Sequence, residues 1–209
     1  TSSFSRSWVN GRLSRTGDVI GSATPNPAVF YLFPIGKTDT LYAPIKLAKV
    51  NTANNTWTAE YFYAEPYIRD SIMNPPIDHL SEVEYWEIYS NNQASTDDNA
   101  MLSLSWRGAS YVSADSITRD SLLVAQYIDN AGFRWEVPGG WATGRTIGSD
   151  SLFGFVTSNS STNNYSFAER RFSLGSYSKY NALPARLLYF TAIADGNKVR
   201  LNCEVANKQ

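Results

Sequence analysis

The stretch TWTAEYFY, residues 56–63, decides how the rest of the chain is read. Period two places Trp57, Ala59, Tyr61 and Tyr63 on one side and Thr58, Glu60 and Phe62 on the other. Such alternation belongs to a half-buried strand, and no long segment of the chain shows a helical period. Similar short runs, separated by turn residues, predict strands near Trp8–Arg15, Phe30–Ile35, Ala43–Val50, Val83–Tyr89, Met101–Trp106, Leu122–Tyr127, Phe133–Val137, Phe153–Thr157 and Phe167–Leu174. A succession of short strands with no helix between them predicts an all-β fold, a two-sheet sandwich of jelly-roll type. Its expected core includes Trp57, Tyr61, Trp86, Leu102, Leu104, Trp106, Val124 and Phe155.

Two segments interrupt the pattern. Glu65–Ser81 carries Pro75-Pro76, which breaks regular structure, and is expected to cross between sheets. The stretch SYSKYNA, residues 176–182, reads as a linker between a sandwich spanning residues 1–175 and a closing unit, residues 183–209. In that unit Pro184 suits a strand's start, Leu187–Ile193 is rich in strand formers, Ala194–Asn197 has turn chemistry, and Val199, Leu201, Cys203 and Val205 alternate with polar residues. It is one C-terminal β-hairpin, and two strands alone cannot bury a core. Three outcomes satisfy its apolar faces: it folds back onto the sandwich, it begins a further domain, or Leu187, Tyr189, Ile193, Val199, Leu201 and Val205 add strands to a neighbouring copy of the chain. A head-to-tail contact of that kind builds a ring or a fibre.

Composition narrows the function classes. With 209 residues, 43% of them hydrophobic, the chain can bury a sizeable core. A net charge of −1 argues against nucleic acid, which is bound by massed Lys and Arg. No run approaches the roughly 20 apolar residues of a membrane-spanning helix. Cys203 is the single cysteine, which leaves no internal disulfide and no redox pair. Abundant aromatic, Ser, Thr and Asn residues with few charges suit an extracellular all-β domain.

Several segments together resemble a known family. VNGRLSRTG and YLFPIGKTDTLYAPIKLAKV, followed by HLSEVEYWEIY, MLSLSWRG and DSLLVAQYIDNAGFRWEVPGG, resemble a β-sandwich module of secreted surface proteins of Bacteroidota. RRFSLGSYSKYNALPARLLYFTAIADGNKVRLN resembles the junction that precedes the sorting domain of type IX secretion cargo. The resemblance implies secretion and a cell-surface location, with a leader ahead of Thr1; it implies no activity.

The sharpest local signal is a repeated tripeptide of Asp, then Ser or Thr, then an aliphatic residue. It occurs at Asp39-Thr40-Leu41, Asp70-Ser71-Ile72, Asp115-Ser116-Ile117, Asp120-Ser121-Leu122 and Asp150-Ser151-Leu152, where chance gives roughly one copy. Asp-Ser and Asp-Thr make side-chain turns before strands, which accounts for some copies. The pattern also resembles the O-glycosylation signal of secreted Bacteroidota proteins, with Thr40, Ser71, Ser116, Ser121 and Ser151 as acceptors. The sequons at Asn54, Asn159 and Asn164 are commoner by chance.

Catalytic patterns are sparse. His79 is the single histidine, so any triad would depend on it. Glu82, Glu84 and Glu87 cluster, but period two puts Glu82 and Glu84 on one face and Glu87 on the other, whereas glycoside hydrolysis needs facing carboxylates. Asp97 and Asp98 offer oxygen ligands for calcium without the spacing of a calcium loop. Trp135 and Trp141 flank EVPGG and are candidates for stacking on a sugar or partner, with a buried plug the stronger reading. No cofactor is expected. The expected function is a secreted, non-enzymatic structural or adhesive surface protein; the alternative is a carbohydrate-binding module of a larger degradative enzyme.

Overall fold

A computed structural model describes residues 7–20, 30–51, 53–66, 71–91, 100–112, 120–128, 132–138, 145–147, 153–158, 170–180, 187–195 and 198–205. The strands in chain order are β1 (Val9–Asn10), β2 (Leu13–Gly17), β3 (Tyr31–Phe33), β4 (Ile35–Lys37), β5 (Leu41–Tyr42), β6 (Ile45–Ala48), β7 (Asn55–Phe62), β8 (Ile72–Met73), β9 (His79–Leu80), β10 (Tyr85–Ser90), β11 (Met101–Arg107), β12 (Leu122–Ile128), β13 (Arg134–Glu136), β14 (Arg145–Ile147), β15 (Phe153–Thr157), β16 (Arg171–Ser176), β17 (Leu187–Asp195) and β18 (Lys198–Val205). One turn of 3-10 helix, Gly108–Ser110, follows β11.

Two sheets form the sandwich. The larger runs β2-β7-β10-β16-β12-β13-β8, with β9 added on β16, and the smaller runs β14-β15-β11-β6-β3. A three-stranded sheet, β1-β4-β5, lies beside them, and β17 pairs with β18 as a separate ribbon. Successive elements change sheets repeatedly: β6 leads into β7, β10 into β11 and β15 into β16. The larger sheet therefore joins strands distant in sequence, such as β10 and β16 in the register Trp86 to Phe172.

The core lies between the sheets. Trp57, Ala59 and Tyr61 of β7 point into it, as the opening alternation requires, along with Trp86, Ile88, Leu122, Val124, Phe172 and Leu174 of the same sheet. Phe33, Ile45, Leu47, Leu102, Leu104, Trp106 and Val156 come from the facing sheet. Each buried large side chain contributes roughly 1.5–3 kcal/mol by leaving water. Tyr63 lies past the end of β7 and is exposed.

Phe155 departs from the expected core. In β15 the inward positions belong to Gly154 and Val156, so Phe153 and Phe155 point outward and are half-buried. Gly154 is small because the Trp106 indole occupies the place a Cβ would take. The Glu65–Ser81 segment also does more than cross. It contributes β8 and β9, and Met73, Ile77 and Leu80 pack on Leu123, Ala125, Tyr127, Trp135 and Val137 to form a second apolar cluster. With cover on both sides, all seven residues of β12 are buried. The expected linker starts one residue too early, since Ser176 is the last residue of β16 and is buried.

Candidate functional site

Glu84 stands just before β10 and points inward, where its carboxylate is 0% exposed. It meets Arg107, at the end of β11 in the opposite sheet, through an ion pair with Nη2. The Tyr61 hydroxyl donates to Glu84 Oε2 at 2.9 Å, and Arg107 Nη2 also donates to the Tyr61 oxygen. Burial first, then the Glu84 charge, raise the Tyr61 pKa, while Arg107 opposes the shift. Glu84 Oε1 and Arg107 Nε and Nη1 are buried without a hydrogen-bond partner among the described residues. The group joins the two sheets, and its carboxylate is engaged by a cation and a phenol rather than open to a substrate.

Glu87, by contrast, points outward from β10 and lies 3.8 Å from Arg171. On that face it is in register with Glu60 of β7, which is held by Arg12 at 3.1 Å and Lys37 at 3.3 Å. Phe62 and Tyr85 stack there with centroids 4.7 Å apart and planes 5° apart. Lys37 lies over Phe62 and Arg171 over Tyr85. Cations thus flank both rings, and the patch satisfies its own charges. Glu84 and Glu87 occupy opposite faces of the sheet, so they do not form a facing pair. His79 Nδ1 is 2.8 Å from Asp78, at a sheet margin and far in role from any nucleophile pattern.

The tripeptides divide by position. Leu41, Ile72 and Leu122 each open a strand, which is where an Asp-Ser or Asp-Thr turn belongs. Thr40 is exposed in the turn before β5, and Ser71 is partly exposed before β8. Ser121 must be removed from the glycan acceptors: it is 2% exposed, and its hydroxyl shares a 2.8 Å hydrogen bond with Ser176. A glycan there would displace the β12–β16 contact. Ser116 and Ser151 lie outside the described residues.

Trp135 is likewise no contact residue. It is 2% exposed, with its ring tilted against Tyr127 at 5.6 Å beneath the Pro75-Pro76 segment. Trp141, Asp97 and Asp98 lie outside the described residues. In the ribbon, β17 and β18 run antiparallel, Phe190 opposite Cys203 and Ile193 opposite Arg200. Ile193 is 53% and Val199 65% exposed, and no strand of either sandwich sheet pairs with the ribbon among the described residues. Leu187, Tyr189, Leu201 and Val205 lie on the same two strands, with a register irregularity between Leu187 and Tyr189.

Among the described residues no helix is long and apolar enough to cross a membrane. Compared with known proteins, the chain matches no family model, no curated protein and no solved structure.

Proposed function

We propose that this chain is a secreted, non-enzymatic β-sandwich of the cell surface, structural or adhesive in role, that joins its neighbours through the C-terminal ribbon. The observation that carries the reading is the β17–β18 hairpin. It pairs only with itself among the described residues and exposes Ile193 and Val199. Such a ribbon offers two strand edges whose N–H and C=O groups can pair with another sheet. Backbone bonds then supply affinity and the alternating side chains select register. The resemblance of residues 170–202 to the junction of type IX secretion cargo supports surface placement, and Thr40 and Ser71 keep hydroxyls at accessible positions for glycans.

The neighbour is another copy of the chain, and the contact is head-to-tail. Sedimentation velocity over a range of concentrations tests this. The native chain is expected to grow in size with concentration, and Ile193→Lys with Val199→Lys to remain monomeric, because charges on an edge strand block pairing. A native chain that stays monomeric at high concentration, or a double variant that assembles equally well, contradicts the reading.

A further inference from the structure

The larger sheet ends in two unlike margins. At one end β2 exposes Ser14, Arg15 and Thr16, with the exposed Arg12 just ahead of it. Charged side chains of that kind guard an edge strand against pairing. At the other end β8 runs parallel to β13, and its Ile72 is 66% exposed. Phe133, whose carbonyl accepts the Ile72 N–H at 2.9 Å, is 57% exposed. Among the described residues Ile72 is the most exposed aliphatic side chain, and the next two, Val199 at 65% and Ile193 at 53%, are on the ribbon.

The backbone at β8 has a fixed direction. Ile72 and Asn74 turn their N–H groups toward β13, to the carbonyls of Phe133 and Trp135 at 2.9 Å each. Alternate residues of a strand point the other way, so Ser71 and Met73 direct their N–H and C=O groups to the outer margin. Met73 packs its side chain in the second apolar cluster. Ile72, the next residue along the strand, therefore lies on the opposite face of the sheet. The margin is thus pinned on one face by Met73 and apolar on the other.

We infer that the β8 margin is the surface that receives the ribbon: a ribbon strand of one copy adds beside Ser71–Met73 of the next and covers Ile72 and Phe133. This rests on the joining role proposed for the ribbon and names its partner surface. Three features select it. The margin is apolar where the far end of the same sheet is charged. A strand added to a sheet places side chains on both faces, and the ribbon brings an exposed aliphatic to each: Val199 lies opposite Ala194 and Ile193 opposite Arg200, so the two fall on opposite faces. Finally, ribbon and margin are different surfaces, as a head-to-tail contact requires. Ser71 stands on the same margin, so a glycan there would compete with the ribbon and assembly belongs to chains bare at that residue.

Sedimentation velocity on the full chain made without glycans tests this. Ile72→Lys and Phe133→Lys, each with an unchanged thermal midpoint, should weaken self-association about tenfold or more, the scale of losing one buried aliphatic contact. Mixing supplies the sharper readout. Ile72→Lys keeps its ribbon, and Ile193→Lys with Val199→Lys keeps its β8 margin. Each alone should be monomeric, and the mixture should form dimers and nothing larger. A mixture that stays monomeric, or an Ile72→Lys chain that associates as well as the native one, overturns the inference even where the ribbon variant shows that the ribbon is used. A native chain that is monomeric at high concentration overturns the ribbon's joining role and this inference with it.

Discussion

Removing Arg107 from the Glu84–Tyr61 group tests whether that group is an inter-sheet tie. In Arg107→Met the stem volume is kept, but the Glu84 carboxylate, 0% exposed, loses its cation. Breaking one side of a buried pair costs about 3–5 kcal/mol, because the remaining charge is left unsolvated. For a chain of this size each kcal/mol moves the thermal midpoint by about 2–4 °C, so a drop on the order of 10 °C is expected. Glu84→Gln in the same chain removes the stranded charge while keeping an oxygen to accept the Tyr61 hydroxyl. The pair Arg107→Met with Glu84→Gln should therefore be markedly more stable than Arg107→Met alone. Urea denaturation of the native chain, both singles and the double gives the coupling directly. Purely additive losses, or an Arg107→Met loss below about 1 kcal/mol, would refute the reasoning.

Other expectations follow from neighbouring packing. Trp106→Ala should cost about 3–5 kcal/mol in denaturant titration, since the indole fills the centre of the core. Gly154→Ala should cost about 1–3 kcal/mol by driving a methyl into that same indole. The Tyr61 phenol has a raised pKa in the folded state, so its contribution is fully present below pH 10.0, its usual value, and is lost as pH rises beyond it; Tyr61→Phe should flatten the alkaline fall of the thermal midpoint. Peptide mapping of protein from its native source is expected to find glycan mass on Thr40 or Ser71 and none on Ser121.

Much of the sandwich is legible because apolar residues that face the core alternate with polar ones along several of the long strands. Asn55–Phe62, Tyr85–Ser90 and Met101–Arg107 carry that imprint, and seven of the eight core residues expected from it are buried. Phe155 misleads because FGFVT places two aromatics on one face and a glycine on the other; the space at Gly154 belongs to Trp106 on a neighbouring strand, which local pattern cannot reveal. Ile72–Met73 and His79–Leu80 are too short to show a period. Trp135 is buried by a segment some 60 residues earlier in the chain, a contact of topology rather than composition. The tie from Glu84 to Arg107 arises the same way, from strands adjacent only after folding.

Amide hydrogen exchange across residues 187–205, followed as a function of protein concentration, tests the joining role most directly. Strand addition predicts that outward-facing amides of β17 or β18 become protected as concentration rises, while the amides of Asn55–Phe62 in the core are unchanged. Exchange in the ribbon that is fast and independent of concentration would contradict it.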